Sequence, residues 1–389
     1  MTLIGRGGRQ LLVLPLALLP ACSQNDDAAP QPTSTTTAAA AARPTALPCG
    51  REAETGPAGS DGIVPLGAFV SDSDDLKSIW LWESRIAYIS EERFAVVCDL
   101  ESGTTTVLSR AKAGHFLDTI RADENSVVWA EYDRDPNDRS GNPAEQTGAN
   151  WTVYVHDLRD HRTTPIANGG PKGLYFPEPI PEIAWPFVVW LDLPPAGGSD
   201  EQGQDLVSFD LRDGTRRVLS SGTHPYWPQV TEGLVYFSAQ TEKGNDIHVV
   251  AADGSSPPRR LTHEGDAHEL DARNGWVAWP RYPLDHDPST LQPDVPIAVL
   301  RVGSTTARVA TTGQRWVVVG DGFVVASTTD REFGTLIVGT DGRWLRAFEG
   351  DNVSSYEMSI DGDRVAWVTV DYPEGKRKLV YLHLGRVQR

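Results

Sequence analysis

A short strand motif recurs seven times along the chain, and this repeat constrains the fold more than any other feature. Each copy is two apolar residues followed by an aromatic residue or alanine, and the copies end at Tyr88, Trp129, Trp190, Tyr236, Trp279, Ala326 and Trp367. Successive copies lie 41, 61, 46, 43, 47 and 41 residues apart. The runs around them are rich in β-branched and aromatic residues and end at Gly, Asp or Pro, which indicates strands rather than helices. A four-stranded repeat of about 40–50 residues is typical of a β-propeller.

The sequence therefore predicts an all-β chain with seven blades of four antiparallel strands each. The last repeat has no fourth strand, because Val380–Leu384 is its third and only five residues follow. A spare strand-like run, Ile63–Val70, precedes the first repeat. We expect this N-terminal strand to complete the last blade, since closing the ring removes an exposed sheet edge. The nine tryptophans assigned to first and second strands are predicted to be core residues.

The fourth repeat, His224–His263, resembles the repeat of the TolB-like family of propeller proteins. The shared features are a second strand bounded by glycine, the turn Asp253-Gly254 and the terminal pair Leu261-Thr262. The resemblance covers roughly Asp74–Leu384 and implies the propeller fold. It implies no particular activity, because propellers carry many unrelated functions.

Residues 1–22 have the pattern of a targeting segment. Arg6 and Arg9 precede the apolar run Leu11–Leu19, which is too short to cross a membrane, and Cys22 follows a small residue. The pattern resembles the bacterial lipoprotein signal, in which the cysteine becomes the acylated (palmitate-carrying) first residue. It implies a lipid-anchored protein of the bacterial cell envelope, in the outer membrane if the cell is Gram-negative, since Ser23 follows the cysteine. Simple secretion and an uncleaved anchor are the alternatives.

The rest of the chain divides at about residue 61. Residues 23–61 are rich in Ala, Pro and Thr and are predicted to be a disordered tether, whereas residues 62–389 are assigned to the propeller. Cys49 and Cys98 are predicted to form a disulfide that pins the tether to the first blade, with two free thiols as the alternative. The net charge of −18 argues against nucleic acid and against adsorption to anionic lipid, so membrane contact is expected through the lipid anchor only.

Three long insertions fall between second and third strands, at Asp133–Asn150, Asp192–Gln204 and Pro280–Pro296. These connections share one face of a propeller, and loops on one face of a repeat array usually build the binding surface. We therefore predict a partner-binding site on this face, with solvated loops as the alternative. Its candidate residues are Asp133, Asp135, Asp138, Asp192, Arg281, Tyr282, Asp285 and His286.

Another set of polar residues stands where first strands begin: His115, Glu178, His224 and His268. Because first strands line the central channel, these side chains could converge at its mouth. Histidines with a carboxylate can bind a transition metal or transfer protons. A divalent metal is therefore an alternative to the prediction of no cofactor. Independent polar residues on hydrated loops are the competing interpretation.

Common catalytic motifs do not occur in the sequence. It has no Gly-x-Ser-x-Gly, no His-Glu-x-x-His, no phosphate-binding glycine loop and no Cys-x-x-Cys. The leading hypothesis is a non-enzymatic, monomeric, lipid-anchored envelope protein that binds a protein or glycan partner. The alternative is a metal-dependent lyase or hydrolase acting on saccharides at the channel mouth.

Overall fold

The computed structural model divides the chain into two units, Met1–Arg43 and Pro44–Arg389. The first unit lies outside the described residues. The structure describes residues 47–48, 51–52, 63–71, 76–133, 150–169, 179–192, 204–267, 269–283, 295–304, 306–311, 314–328, 334–341, 343–349, 353–371 and 379–387. Within these ranges all regular structure is β-strand, and no helix is long and apolar enough to cross a membrane.

The strands form seven antiparallel blades, as the repeat predicts. Three short or N-terminal strands come first: β1 (Leu47–Pro48), β2 (Arg51–Glu52) and β3 (Ile63–Ser71). Blade 1 contains β4 (Leu76–Trp82), β5 (Arg85–Ser90), β6 (Phe94–Asp99) and β7 (Thr104–Arg110). Blade 2 contains β8 (His115–Ala122), β9 (Ser126–Asp133), β10 (Trp151–Asp157) and β11 (Arg162–Gly169). Blade 3 contains β12 (Glu182–Ala184), β13 (Phe187–Asp192), β14 (Asp205–Asp210) and β15 (Thr215–Ser220).

The remaining blades repeat the same order. Blade 4 contains β16 (Pro225–Thr231), β17 (Leu234–Thr241), β18 (Gly244–Ala251) and β19 (Arg259–Arg260). Blade 5 contains β20 (Asp271–Arg273), β21 (Trp276–Pro280), β22 (Ile297–Arg301) and β23 (Arg308–Thr311). Blade 6 contains β24 (Gln314–Val319), β25 (Phe323–Thr328), β26 (Gly334–Gly339) and β27 (Trp344–Glu349). Blade 7 contains β28 (Val353–Asp361), β29 (Arg364–Asp371) and β30 (Leu379–Val387), with β3 as its fourth strand.

The blades form a closed ring around the first strands. Each first strand contacts the first strands of both neighbouring blades, including β28 of blade 7 against β4 of blade 1. In every sheet the first strand lies at one edge and pairs with the second strand. The first strands therefore line the centre, and their starting ends share one face with the connections between second and third strands.

Pairing of β3 with β30 confirms the predicted closure. The register runs from Ile63 opposite Val387 to Ser71 opposite Val380. The contact is close, because a Cβ atom at Gly385 would lie 2.3 Å from Cγ2 of Ile63. The two ends of the folded unit are thus joined in one blade by backbone hydrogen bonds and apolar packing.

Two additional short strands lie at the outer edge of this closure. Strand β1 pairs with β7 of blade 1, and β2 pairs with β3 of blade 7. Both lie within residues 23–61, for which the sequence predicts a tether. Paired backbone therefore begins before Gly62, while most of that segment lies outside the described residues.

The core consists of apolar layers between adjacent blades. Trp129, Trp190 and Trp279 on second strands are essentially fully buried, as predicted for this recurring position. The prediction of burial is wrong for Trp185 and Trp227, whose exposed fractions are 37% and 36%. Trp185 lies in the turn between β12 and β13, and Trp227 occupies a β-bulge with a φ of 50° that turns it out of the strand alternation.

Candidate functional site

The described members of the predicted loop-face site make contacts within the protein. Asp133, the last residue of β9, accepts hydrogen bonds from the backbone N and from Nδ2 of Asn150. The carboxylate of Asp192 lies 2.6 Å from Nη2 of Arg216. Nε and Nη2 of Arg281 each lie 2.6 Å from Oδ2 of Asp266. These contacts engage the residues at the bases of the long connections, and the two ion pairs offset the charges of Asp192 and Arg281.

Other members of that site are buried or lie outside the described residues. The side chain of Tyr282 is 7% exposed, which leaves little of its ring for a partner. Asp135, Asp138, Asp285 and His286 lie outside the described residues, so their predicted role stays a prediction. The strand ends that flank all three long connections nevertheless share one face, because each connection joins a second strand to a third.

Two of the four predicted metal-binding residues are described. His115 is the first residue of β8, and His224 immediately precedes β16 with a φ of 44°. Glu178 and His268 lie outside the described residues. Among the residues that the structure describes, no three His, Cys, Asp or Glu side chains come together as a metal would require. The described part of the channel mouth therefore does not fit a metal by itself.

His115 belongs instead to a four-residue cluster between blades 1 and 2. Its Nδ1 lies 2.9 Å from Oε1 of Glu131, a buried carboxylate on β9. Nζ of Lys112 lies 3.9 Å from the same oxygen and donates a hydrogen bond to the Tyr154 hydroxyl at 3.3 Å. The Tyr154 hydroxyl and the negative charge of Glu131 raise the pKa of Lys112. The cluster thus places the buried carboxylate of Glu131 against the ammonium group of Lys112 and the imidazole of His115.

Deeper in the channel, charged side chains of several first strands meet in one buried layer, which we call the channel layer. Nε of Arg121 on β8 lies 2.7 Å from Oε1 of Glu182 on β12. The same oxygen accepts a hydrogen bond from Nε2 of Gln229 on β16 at 3.1 Å. Arg121 also donates to the Ser78 hydroxyl on β4 at 3.2 Å. Four blades are joined by these side chains.

The layer continues around the rest of the ring. Arg273 on β20 packs on the ring of Trp80, with its guanidinium carbon 3.6 Å from the ring centroid, and donates to the Ile360 carbonyl. Arg121 lies 4.6 Å from the same centroid. Asp271 accepts a hydrogen bond from the backbone N of Val319 at 2.7 Å and lies 3.4 Å from Nε of Arg273. All seven first strands therefore contribute to the channel layer.

Burial and charge balance determine what the channel layer can do. Glu182 is 2% exposed, and desolvation raises the pKa of its carboxyl while the positive charges of Arg121 and Arg273 oppose that shift. Breaking one partner of such a pair would leave the other charge buried alone. Two arginines are balanced by two carboxylates, and Nε of Arg273, 3.4 Å from Asp271, forms no hydrogen bond among the described residues, so the layer joins the blades mainly through the contacts of Arg121 and Glu182.

Neither Glu131 of the His115 cluster nor the charged residues of the channel layer were identified from the sequence, and the reason is physical. Glu131 lies inside the buried strand Ser126–Asp133, and Glu182 begins a strand of three residues, so neither stands out in a motif. A usable signal existed for the channel layer. Arg121, Glu182 and Asp271 occupy the same register position on their first strands, opposite the second residue of each repeated motif.

Comparisons with known proteins agree on the fold. No family model matches the chain. Solved structures that it resembles include an oligogalacturonate lyase in complex with manganese, with a TM-score of 0.54 and 11% identity over 89% of this chain and 98% of that one. The β-propeller domain of the Trilobed protease from Pyrococcus furiosus gives 0.53 and 8% over 84% and 97%. At these identities the similarity shows a propeller fold alone.

One set of curated proteins matches by sequence. Protocadherin-16 of Rattus norvegicus is 31% identical over 127 residues, which is 31% of this chain and 3% of that protein. The mouse and human proteins match at 30% over the same length. The chain therefore spans 3% of the length of the curated relatives that it matches.

Proposed function

We propose that this protein is a lipid-anchored propeller of a bacterial cell envelope, related to the TolB-like proteins, that binds a protein or glycan partner without catalysing a reaction. The observation that carries the proposal is the placement of the long connections. Residues 134–150, 193–204 and 281–296 separate second from third strands in blades 2, 3 and 5, and the strand ends that flank them share one face. On the opposite face, turns such as 232–233 and 274–275 are short. Loop length is tolerated anywhere, so this bias favours a functional face.

Shortened connections test the binding role. The full-length protein and a variant with residues 134–149 replaced by a tight turn would be compared by cross-linking to envelope proteins, with mass-spectrometric identification, and on a glycan array. We expect the variant to lose the partner while keeping its melting temperature. A matched control shortens residues 100–103 on the opposite face of blade 1. If the control lost the partner and the variant kept it, the binding face proposed here would be the wrong one.

The lipid anchor rests on the pattern ending at Cys22. In cell fractionation, Cys22→Ser should move the protein from the membrane fraction to the soluble envelope fraction. Unchanged membrane association of this variant would contradict lipidation.

We further infer that Cys49 is the disulfide partner of Cys98. Cys98 is disulfide-bonded, and the other cysteines in the chain are Cys22 and Cys49. The supporting geometry is that Leu47 lies opposite Thr105 on β7, and Thr105 lies opposite Cys98 on β6. Cys49 thus comes directly after a strand that is separated from the strand of Cys98 by β7 alone.

A metal-dependent lyase or hydrolase acting on saccharides is the second candidate. The contact of His115 with Glu131 supports it, because an oriented histidine beside a carboxylate can transfer protons or bind a metal. Metal analysis of the purified protein and of His224→Ala tests this candidate. Stoichiometric metal that disappears in the variant would favour it, and absence of metal from both would count against it.

A further inference from the structure

A long groove separates blades 4 and 5 at the outer side of the ring. One cavity of about 680 Å³ is lined by Tyr236 and Val249 of blade 4 and by Leu300 of blade 5. A second cavity of about 320 Å³ adjoins it, and the two share Leu261 and Leu300. We call this continuous depression the inter-blade groove.

The groove opens where the outer strands are shortest. Strand β19 has two residues and pairs only with His248 and Val249 of β18, which has eight. Strand β23 of blade 5 has four residues, whereas the fourth strands of the other blades have six to nine. The apolar side chains that a longer outer strand would cover are therefore left facing the groove.

The floor of the groove is aliphatic, and its edge is stiff. Leu234, Leu261 and Val302 pack against the core while remaining partly exposed. Pro257 and Pro258 line one end, and proline restricts the backbone so that little entropy is lost when a ligand binds. The first cavity therefore offers few hydrogen-bonding groups for sugar hydroxyls, which are costly to bury unpaired, whereas the second cavity is lined mainly by polar and charged side chains.

The charged side chains that line the inter-blade groove are mostly basic, whereas the protein as a whole is acidic. Arg260 and Arg281 are engaged by Asp246 and Asp266. Arg259 and Arg308, which line the first and second cavities, form no ion pair with any described residue. Arg308 rests on the ring of Trp276, with 5.7 Å between guanidinium carbon and ring centroid. In a chain with a net charge of −18, the two cavities are thus lined by two arginines outside ion pairs, against one such carboxylate, the exposed Glu264 of the second cavity.

We propose that the inter-blade groove binds an extended segment of a partner protein that combines apolar side chains with acidic ones. The apolar side chains would cover the floor, and the carboxylates would pair with Arg259 and Arg308. An extended segment of roughly eight residues, at about 3.3 Å per residue, would match the length of β18, part of which lines the groove. This proposal rests on the proposed binding function and names a second contact surface for a protein partner.

A displayed library of random octapeptides, selected on the full-length protein, tests the proposal. We expect enrichment of peptides that alternate apolar and acidic residues. The Arg259→Glu/Arg308→Glu variant should bind the selected peptides at least about tenfold more weakly, because two attractive pairs become repulsive. Raising the salt concentration should weaken binding to the unmodified protein.

Arg110→Glu is the matched control. Arg110 is an exposed residue on the outer strand of blade 1 that rests on Phe94 much as Arg308 rests on Trp276, at 5.5 Å. This variant should bind the peptides as well as the unmodified protein does. Enrichment of basic peptides, enrichment of none, or equal binding by the double variant would overturn the proposal.

The variant with shortened residues 134–149 separates this proposal from the proposed function. It should lose the partner of the loop face but still bind the selected octapeptides. If the loop variant lost peptide binding and the arginine variant kept it, the peptides would be recognised by the loop face. That result would overturn the proposal that they bind in the inter-blade groove. Glycans that bind to the unmodified protein but not to the arginine variant would also overturn it.

Discussion

The outer edges of blades 7 and 1 are built very differently from those of blades 4 and 5. At the first pair, β3 contributes nine residues to blade 7, and β2 and β1 add a fifth strand to each sheet. At the second pair, the fourth strands have two and four residues, and a groove opens between the blades. The outer edge of the repeat therefore has additional strand pairing in blades 7 and 1 and shortened fourth strands in blades 4 and 5.

Chain continuity explains the difference. Blade 7 is assembled from both ends of the folded unit: β3, which leads along the chain into β4 of blade 1, is joined to β30 by non-covalent contacts alone, so this pairing must supply the stabilisation there. Blades 4 and 5 follow each other directly along the chain, so an outer strand can be shortened without opening the ring. A propeller can thus expose an apolar surface where closure does not depend on it.

Removal of β3 should have the largest effect. Deleting residues 62–71 takes the outer strand from blade 7 and removes Ile63, which packs with Phe323 and Trp367. We expect aggregation or a fall in melting temperature of many degrees in thermal unfolding followed by circular dichroism. Deleting residues 24–45 serves as the control and should leave the melting temperature unchanged. Equal stability of the two deletion variants would contradict the role of β3 as the closing strand.

The next largest loss of stability is expected from changes in the channel layer, which lies at the centre of the ring rather than at either pair of outer edges. Glu182→Ala leaves the guanidinium of Arg121 buried without its partner, which should cost about 3–5 kcal/mol in the free energy of unfolding. Replacing both residues with apolar ones, Arg121→Met/Glu182→Leu, should cost less. Urea unfolding of the unmodified protein and of the two variants measures the difference. A double variant less stable than Glu182→Ala would argue against the pairing.

Acidification should weaken the closing blade. Burial lowers the pKa of His383 on β30 to about 4, below its ordinary value of 6.5, so the unfolded chain binds the proton more readily. Stability is therefore present above pH 6.5 and is lost as the pH falls towards 4, by about 3 kcal/mol from this group. In His383→Phe, the ring that stacks on Trp367 is retained without titration. We expect a shallower loss of stability with acid in this variant, whereas an unchanged slope would assign the effect to other groups.

Loss of the inferred disulfide should have a similar or smaller effect. Cys49→Ser opens a loop of about 50 residues, and loss of such a bridge costs about 2–4 kcal/mol. Differential scanning calorimetry should show a lower melting temperature for this variant, and reducing agent should lower that of the unmodified protein to the same value. A reducing agent that acts on Cys49→Ser as well would point to a different pairing.

Changes at the inter-blade groove should have the smallest effect on stability. Arg259→Ala and Arg308→Ala remove exposed side chains without ion pairs, so each should change the free energy of unfolding by less than about 0.5 kcal/mol. Urea unfolding measures this against Ile63→Ala, for which a loss of about 2–4 kcal/mol is expected at the closing blade. A large loss in either arginine variant would mean that the groove edge supports the fold.

Much of the fold could be predicted from the sequence because the strands and their repeat are specified by short local sequence patterns. The motif ending at Trp129, Trp190 and Trp279 marks second strands, since a large apolar residue recurs wherever neighbouring blades pack face to face. The missing final strand and the spare run Ile63–Val70 predicted the closure, which β3 and β30 confirm. Trp185 and Trp227 were misjudged because a turn and a bulge break the alternation on which burial predictions depend.

The contacts that define the candidate sites were decided only by the tertiary structure. Arg121 and Glu182 lie 61 residues apart in different blades, and each reads in sequence as an ordinary charged residue. The inter-blade groove likewise depends on how β19 and β23 end relative to each other. Strand periodicity specifies which way a side chain points along its own strand, but the partner across a blade boundary is set by the geometry of the closed ring, which no local pattern encodes.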